Sequence, residues 1–427
     1  MTISEAILGK VAYRVSQQRD ERRHLSRRLL YQSLAIMNAT TKLLMVAGAR
    51  PNFMKVAPLL KAAGDYNSAP NNGAPNLECR LVHTGQHYDA QMSSVFFREL
   101  GIPEPDINLE VGSGTHAIQT ANVMLKFETV CTDYKPDWVV VVGDVNSTMA
   151  CTLVAAKCGI RVAHVEAGLR SFDRTMPEEI NRIVTDAVAD LLLTPSSDAD
   201  ENLKKEGIPA GRIRLVGNVM VDSLIANLPK ARGSSILGKL GVTEKNFVYV
   251  TLHRPSNVDN QVNLSAIMAE LCDLSNTLPV VFPMHPRTRK MLTTFHIDGA
   301  SSPRFQIIDP VGYHDSLCLA EKARLVLTDS GGLQEETTFF QTPCLTLRPN
   351  TERPVTITLG SNRLTDLNRL HSDLAEGLNA TSRRGKIPPL WDGRAGERCL
   401  TAMLEASSRQ PEVFRNHSAN GPRGHPV

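Results

Sequence analysis

No apolar run in the 427-residue sequence approaches the roughly 20 residues that a membrane-spanning helix requires. The first forty residues also lack the uninterrupted apolar stretch of a secretory signal. Eight cysteines (Cys79, Cys131, Cys151, Cys158, Cys272, Cys318, Cys344 and Cys399) form no Cys-x-x-Cys pair, and no histidine cluster has metal-ligand spacing. Cysteines scattered in this way behave as small buried hydrophobes in a reducing compartment. Charge of one sign is also scarce: 47 Lys plus Arg against 44 Asp plus Glu leaves +3, too little to suggest a nucleic-acid partner. No repeat of 20–50 residues is present, which excludes a solenoid. These absences predict a cytoplasmic protein with no metal site, no membrane partner and no nucleic-acid partner.

What is present is a rhythm. From Lys42 onward, short β-branched runs alternate with amphipathic stretches: LLMVAG, CRLVHTG, WVVVVGD, RVAHVEAG and LLLTPS before Ser196, then NFVYVTLH, PVVFPMH, FQIID and RLVLTDSGG. Helical spacing fills the gaps, as in FMKVAPLLKAA, STMACTLVAAKCG, INRIVTDAVAD and NLSAIMAELCDLS. Continuous apolar strands with intervening helices specify parallel sheets covered on both faces. The length asks for two domains, since domains cluster at roughly 100–200 residues. The pattern predicts an α/β protein of two doubly wound, Rossmann-like domains. A first domain is expected over 41–216 and a second over 217–369, with the hinge near Gly217. Residues 1–40 carry seven basic and three acidic side chains without strand periodicity, and 408–427 is rich in Pro, Gly, Asn and Ser. Both ends are expected to be poorly ordered.

In open parallel sheets, ligands bind beyond the carboxyl ends of the strands. There the sequence is polar and specific in kind. GARPNFMK supplies Gly48, Arg50 and Lys55, a glycine turn with two cations, but without the G-x-G-x-x-G or Walker A spacing of a dinucleotide or ATP site. TGQHYD follows with Gln86 and His87. GDVNSTMA places Asp144 after four valines, where it serves either as a helix cap or as a site carboxylate. HVEAGLRSFDRTMPEEINR is the densest polar run, with Glu166 after a strand and Glu178 and Glu179 after Pro177. An acidic pair there suits the helix dipole, whereas Glu166 has less structural reason to be there. Asp144, Glu166 and Glu178 together are equipment for moving protons. In the second half, His253 and Arg254 follow one strand and His285 and Arg287 the next. Ser330, Gly331 and Gly332 open a helix, as an anion cradle or an ordinary cap. Glu335 and Glu336 follow in its first turns, and NTERP adds Arg353 before Pro354.

In this order, GARPNFMKVAPL, TGQHYD, GDVNSTMA, HVEAGLRS with PEEINR, GNVMVDSL, LHR, and LTDSGGLQEE with TERP resemble the non-hydrolysing UDP-N-acetylglucosamine 2-epimerases over roughly Leu43 to Leu364. The resemblance implies a glycosyltransferase-B type architecture with an interdomain cleft, a C-terminal helical segment within 370–407 that returns to the first domain, and a homodimer. It implies interconversion of UDP-GlcNAc and UDP-ManNAc without a cofactor, supplying an activated sugar for cell-surface polysaccharide. The reaction would pass through elimination of UDP to an enzyme-bound 2-acetamidoglucal, followed by re-addition. The resemblance assigns acid/base positions to Asp144, Glu166 and Glu178, diphosphate positions to Arg50, His253, Ser330, Gly331 and Gly332, and a ribose contact to Glu336. Lys55 and Arg353 match further site positions, and His285 joins them as a substrate-binding candidate. Ser316 stands where members often carry an aromatic residue near the uracil, and Pro255-Ser256-Asn257 follows His-Arg where many have Arg-Glu-Asn. Rival readings are a hydrolysing epimerase releasing ManNAc and UDP, a 2-epimerase of a UDP-2,3-diacetamido sugar, and an inactive nucleotide-sugar-binding regulator.

Overall fold

The computed structural model describes residues 40–69, 75–85, 102–297, 302–379 and 385–408. The basic extension and the C-terminal tail fall outside them except for Thr40 and Ser408, as do Gln86, His87 and the side chain of Arg50.

Two parallel sheets are present. The first has seven strands: β1 (Thr40–Ala47), β2 (Asn76–His83), β3 (Ile107–Asn108), β4 (Trp138–Val142), β5 (Arg161–Val165), β6 (Leu191–Thr194) and β7 (Ile213–Leu215), in the order 3-2-1-4-5-6-7. The second has six: β8 (Val248–Thr251), β9 (Val280–Pro283), β10 (Phe305–Ile308), β11 (Leu325–Thr328), β12 (Cys344–Leu347) and β13 (Asn362–Thr365), in the order 10-9-8-11-12-13. The longer helices are α1 (Arg50–Ser68), α2 (His116–Tyr134), α3 (Asn146–Lys157), α4 (Pro177–Val188), α5 (Ser197–Lys205), α6 (Val219–Arg232), α7 (Gln261–Ser275), α8 (Pro286–Thr294), α9 (Tyr313–Lys322), α10 (Gly331–Phe340), α11 (Leu370–Asn379) and α12 (Ala395–Ser408).

The Trp-Val-Val-Val-Val run of β4 is buried along its whole length, as a central strand covered on both faces requires. One apolar layer joins β1 and β4 to α1 and α12 through Leu43, Val140, Leu59 and Met403. The opposite layer packs Phe127 of α2 and Val154 of α3 against Leu44 and Val139. The second sheet is covered likewise, by Leu264 and Leu271 of α7 on one face and Leu319 of α9 on the other.

Helix α6 belongs to both halves. Val219 and Met220 enter the first core, while Leu224 and Ala231 pack with Leu317 of α9. Pro58 inside α1 cannot donate a backbone hydrogen bond to the Met54 carbonyl one turn back, and the Ser223 hydroxyl of α6 donates to that carbonyl instead. A second crossing runs alongside. Gly217 has φ +91°, and a Cβ there would lie 2.1 Å from the Leu390 carbonyl oxygen, so only glycine fits. The Trp391 indole donates to the Pro195 carbonyl at 3.0 Å.

Within the 370–407 segment, the structure differs from the sequence expectation. Helix α11 stays on the second sheet, with Leu370 and Leu374 in its core. Only α12 returns to the first sheet, placing Ala395, Cys399, Leu400 and Met403 there. The physical reason lies in the apolar face of each helix, which closes the layer left open beside it.

Candidate active site

Strand order reverses between β1 and β4 in one sheet and between β8 and β11 in the other. Such switch points open a crevice at the carboxyl ends of the strands. The turns found there are the polar ones singled out in the sequence.

In the first sheet, Asn52 organises the turn after β1. Its side-chain oxygen accepts from the backbone N–H of Gly48 (3.2 Å) and Ala49 (2.9 Å), and its amide donates to the Val142 carbonyl of β4 (3.0 Å). Gly48 presses against Ser147, leaving no room for a Cβ (2.7 Å to its hydroxyl). Gly143, at φ +67°, faces the Lys55 ammonium at 2.8 Å from its would-be Cβ. Asp144, Lys55 and Glu166 are thereby drawn to one place.

Glu166 is the junction. Its buried carboxylate pairs with Lys55 from α1 and with Arg353 from the loop after β12, the latter at 2.7 Å. Burial opposes its charge, but Lys55 and then Arg353 outweigh that and hold the carboxyl below its ordinary range. Arg353 also meets Glu335 at 2.8 Å and pairs with Glu352, which in turn binds Arg348 at 2.9 Å. Burial pushes the Glu335 carboxyl up, with Arg353 working against the rise and Glu166 adding to it. Glu166 and Arg353 belong to different sheets, so this ion cluster bridges the two halves.

Asp144 is paired with Arg182 of α4, and Arg182 also binds Glu179 at 2.7 Å. Glu179 is buried and accepts from the backbone N–H of Ser171 (3.0 Å) and Phe172 (2.9 Å), so it holds the loop before α4. Its neighbour Glu178 is half-buried and, among the described residues, makes no side-chain hydrogen bond or ion pair. The two adjacent acids thus differ in role, Glu179 fixing the loop and Glu178 remaining unengaged.

In the second sheet, Asp329 fixes the turn after β8. It accepts from the backbone N–H of His253 (3.0 Å) and Arg254 (2.8 Å), from the Asn257 amide (3.0 Å), and from the His253 ring at 3.0 Å. His285 lies against His253, ring centroids 5.4 Å apart. Burial, with His253 next, pulls the His285 pKa down, and its Nδ1 accepts from the Arg287 backbone N–H as the cap of α8. Ser330 caps α10 without a side-chain bond, leaving that helix's first N–H groups without intrahelical acceptors. A Cβ on Gly331 would come within 2.8 Å of the Arg353 guanidinium. One turn on, Glu336 is buried, and desolvation, with Glu335 adding to it, raises its carboxyl to about 8. The Tyr313 hydroxyl beside it is buried and has no partner among the described residues. Ser316 instead bonds the Tyr249 hydroxyl at 2.8 Å.

The two switch points therefore present carboxylates, cations and a free helix N-terminus to one another. A family model described as UDP-N-acetylglucosamine 2-epimerase matches residues 71–404. The chain belongs to that family. The UDP-N-acetylglucosamine 2-epimerase of Methanocaldococcus jannaschii is 40% identical over 369 residues, covering 85% of this chain and 98% of the relative. The UDP-2,3-diacetamido-2,3-dideoxy-D-glucuronate 2-epimerase of Pseudomonas aeruginosa is 43% identical over 326 residues, 76% of this chain and 88% of the relative. A crystal structure of M. jannaschii UDP-GlcNAc 2-epimerase in complex with UDP-GlcNAc and UDP superposes with a TM-score of 0.75 at 39% identity, covering 86% of this chain and 100% of that one. The fold of this family member is accordingly of the glycosyltransferase-B type, as the motifs implied.

Sequence reasoning missed several residues of the site. Arg182, Glu352 and Asp329 all engage a candidate residue directly, and Glu335, read in the sequence only as part of a helix's first turns, pairs with Arg353. Their signal was present in PEEINR, QEE, TERP and LTDSGG, but only the fold shows which partner each meets.

Proposed function

We propose that the chain is a cytoplasmic, homodimeric isomerase that interconverts UDP-GlcNAc and UDP-ManNAc at C2 without releasing free sugar. The observation that carries this reading is Glu166 at one switch point, near Asp144 in sheet position, paired with Arg353 from the other half, whose guanidinium lies beside Gly331 of the Ser-Gly-Gly helix end. Inversion at a weakly acidic carbon needs a base on one face and a proton donor on the other. In this proposal one carboxylate of the Asp144, Glu166 and Glu178 set takes the C2 proton as the C1–O bond to UDP breaks. The C1–C2 double bond of 2-acetamidoglucal forms, and the electron pair of the broken bond leaves on the diphosphate. A second group protonates C2 from the other face while UDP re-adds at C1, so atoms and charge balance.

The diphosphate gains charge as it leaves. Cations and helix N–H groups fixed beforehand stabilise that charge without reorganising. Arg50, Lys55, His253, Arg353 and the N–H groups at Ser330, Gly331 and Gly332 fill that role in the proposal, and Glu336 receives the ribose hydroxyls. Substrate diphosphate competes with Glu166 for Lys55 and Arg353, freeing the carboxylate when the substrate is in place. His285, packed on His253, steadies that ring.

Proton NMR of purified protein with UDP-GlcNAc tests the product. The expected new signals are those of UDP-ManNAc at a constant total of nucleotide sugar. Free ManNAc accumulating with UDP contradicts the reading in favour of hydrolysis. Turnover of only a UDP-2,3-diacetamido uronic acid contradicts the proposed substrate.

A further inference from the structure

The loop between β5 and α4 holds an aromatic ring in an unusual place. Phe172 adopts φ +59°, a left-handed conformation that favours glycine, and its side chain is 77% exposed. It joins no apolar cluster among the described residues. The loop beneath it is firmly tied. The Phe172 backbone N–H donates to Glu179 Oε1 (2.9 Å), and the Ser171 N–H and hydroxyl donate to Oε2 (3.0 and 3.1 Å). Arg182 grips the same carboxylate, with Nε at 3.0 Å and Nη2 at 2.7 Å. Strained backbone persists only where its surroundings over-determine it, and it clusters at ligand clamps. Here a buried ion pair sustains the strain, and the outcome is a phenyl ring turned out of the core.

The neighbours of the loop place that ring at the mouth of the crevice. Arg182, which grips Glu179, also pairs with Asp144. On the other side, Asp173 accepts from the Thr175 N–H (3.0 Å) and hydroxyl (2.6 Å) and lies within hydrogen-bonding reach of the Asn350 side chain. Asn350 stands in the loop after β12, three residues before Arg353. Phe172 thus sits on a loop that runs from the Asp144 side of the crevice to the Arg353 side.

We propose that Phe172 is a substrate-contacting residue whose ring packs on the apolar face of the hexose and keeps water from it while UDP is detached. The inference rests on the epimerase reading and deepens it. Elimination leaves a flattened 2-acetamidoglucal, with the C2 proton on a carboxylate and the electron pair of the C1–O bond on UDP. Sugar and nucleotide are then no longer joined, so escape of either one ends the cycle. The candidate groups around them are carboxylates, cations and backbone N–H groups, all of which address charge and hydroxyls. An aromatic face packs on the C–H groups of the sugar and excludes water there, which no charged group does. Glycine at 172 would suit the backbone better, and this contact is what the phenylalanine adds.

The tests use the full chain. In protein labelled throughout with 4-fluorophenylalanine, the ¹⁹F resonance that Phe172→Gly removes belongs to Phe172. It is expected to shift on addition of UDP-GlcNAc and to stay in place with UDP alone. A resonance unmoved by UDP-GlcNAc, or moved as far by UDP alone, overturns the proposal. Phe172→Gly accepts the same backbone conformation, so it should fold and melt at or above the wild-type temperature. It is expected to release UDP and 2-acetamidoglucal on the order of tenfold more often per turnover, read by proton NMR, while UDP affinity holds. Phe172→Tyr keeps the ring and should retain the intermediate. A glycine variant that retains it as wild type does, or a tyrosine variant that leaks equally, shows that the ring does not cover the sugar. Wild-type protein that turns over no UDP-sugar instead sinks the epimerase reading, and the fluorine shift still decides whether Phe172 meets the hexose.

Discussion

Glu166 adopts φ +72°, a left-handed conformation that side chains other than glycine rarely take. The strain is sustained because its carboxylate is anchored by Lys55 and Arg353, and it aims the acid into the crevice rather than along the strand. Replacing Glu166 by Gln, or Asp144 by Asn, is expected to cut turnover by on the order of 100- to 10,000-fold, while calorimetric UDP binding survives. Normal epimerisation by either variant would remove the acid/base assignment. Glu336 carries a pH signature. Its carboxyl is raised to about 8, so it stays protonated in the folded chain where the unfolded chain would ionise it. Stability from this group is present at low pH and is lost as pH rises from about 5 through about 8. Urea unfolding of ligand-free protein should show that decline, and Glu336→Gln should flatten it. At this scale the sequence was most legible for residues that follow strands, since position relative to a sheet edge can be read from apolar runs. Arg182 and Asp329 were opaque because their roles depend on partners 38 and 76 positions away.

At the scale of elements, nine strand candidates match strands of the two sheets, but β3, β7, β12 and β13 escaped. Two of these hold only two or three residues, too few for any period to register. Strand β12 is fully buried, yet its Cys-Leu-Thr-Leu carries neither alternation nor a long apolar run. Helix α12 was expected to return, but its anchor was not visible. Asp222 of α6 accepts from the N-terminal backbone N–H groups of Ala395 (3.1 Å) and Gly396 (2.7 Å). Asp222→Ala would leave both donors unsatisfied in a buried place and is expected to cost about 1–3 kcal/mol. Hydrogen exchange should then accelerate in 395–408 ahead of the rest of the first core. Unchanged protection there would show that the apolar face of α12 suffices.

Across the whole molecule, the net charge of +3 misleads about the ligand. Residues 1–40 contribute +4 and 409–427 contribute +2, so residues 41–408 carry −3. An anion must be captured by the local field between the sheets rather than by the body as a whole. The same field joins the halves, since Arg353 connects Glu335 and Glu352 of the second to Glu166 of the first. Arg353→Met would strand buried carboxylates and is expected to destabilise by about 3–5 kcal/mol in denaturant unfolding, with UDP affinity falling as well. A variant as stable as wild type would mean that α6 and the crossing through Leu390 and Trp391 hold the halves without this ion cluster. Carboxylates at the first switch point are expected to exchange the C2 proton of a UDP-N-acetylhexosamine. Incubating the protein with UDP-GlcNAc in heavy water and reading C2 by NMR tests it directly. Deuterium is expected at C2 in both UDP-GlcNAc and UDP-ManNAc; product formed with C2 still fully protonated, or no exchange with any UDP-N-acetylhexosamine, would rule that chemistry out.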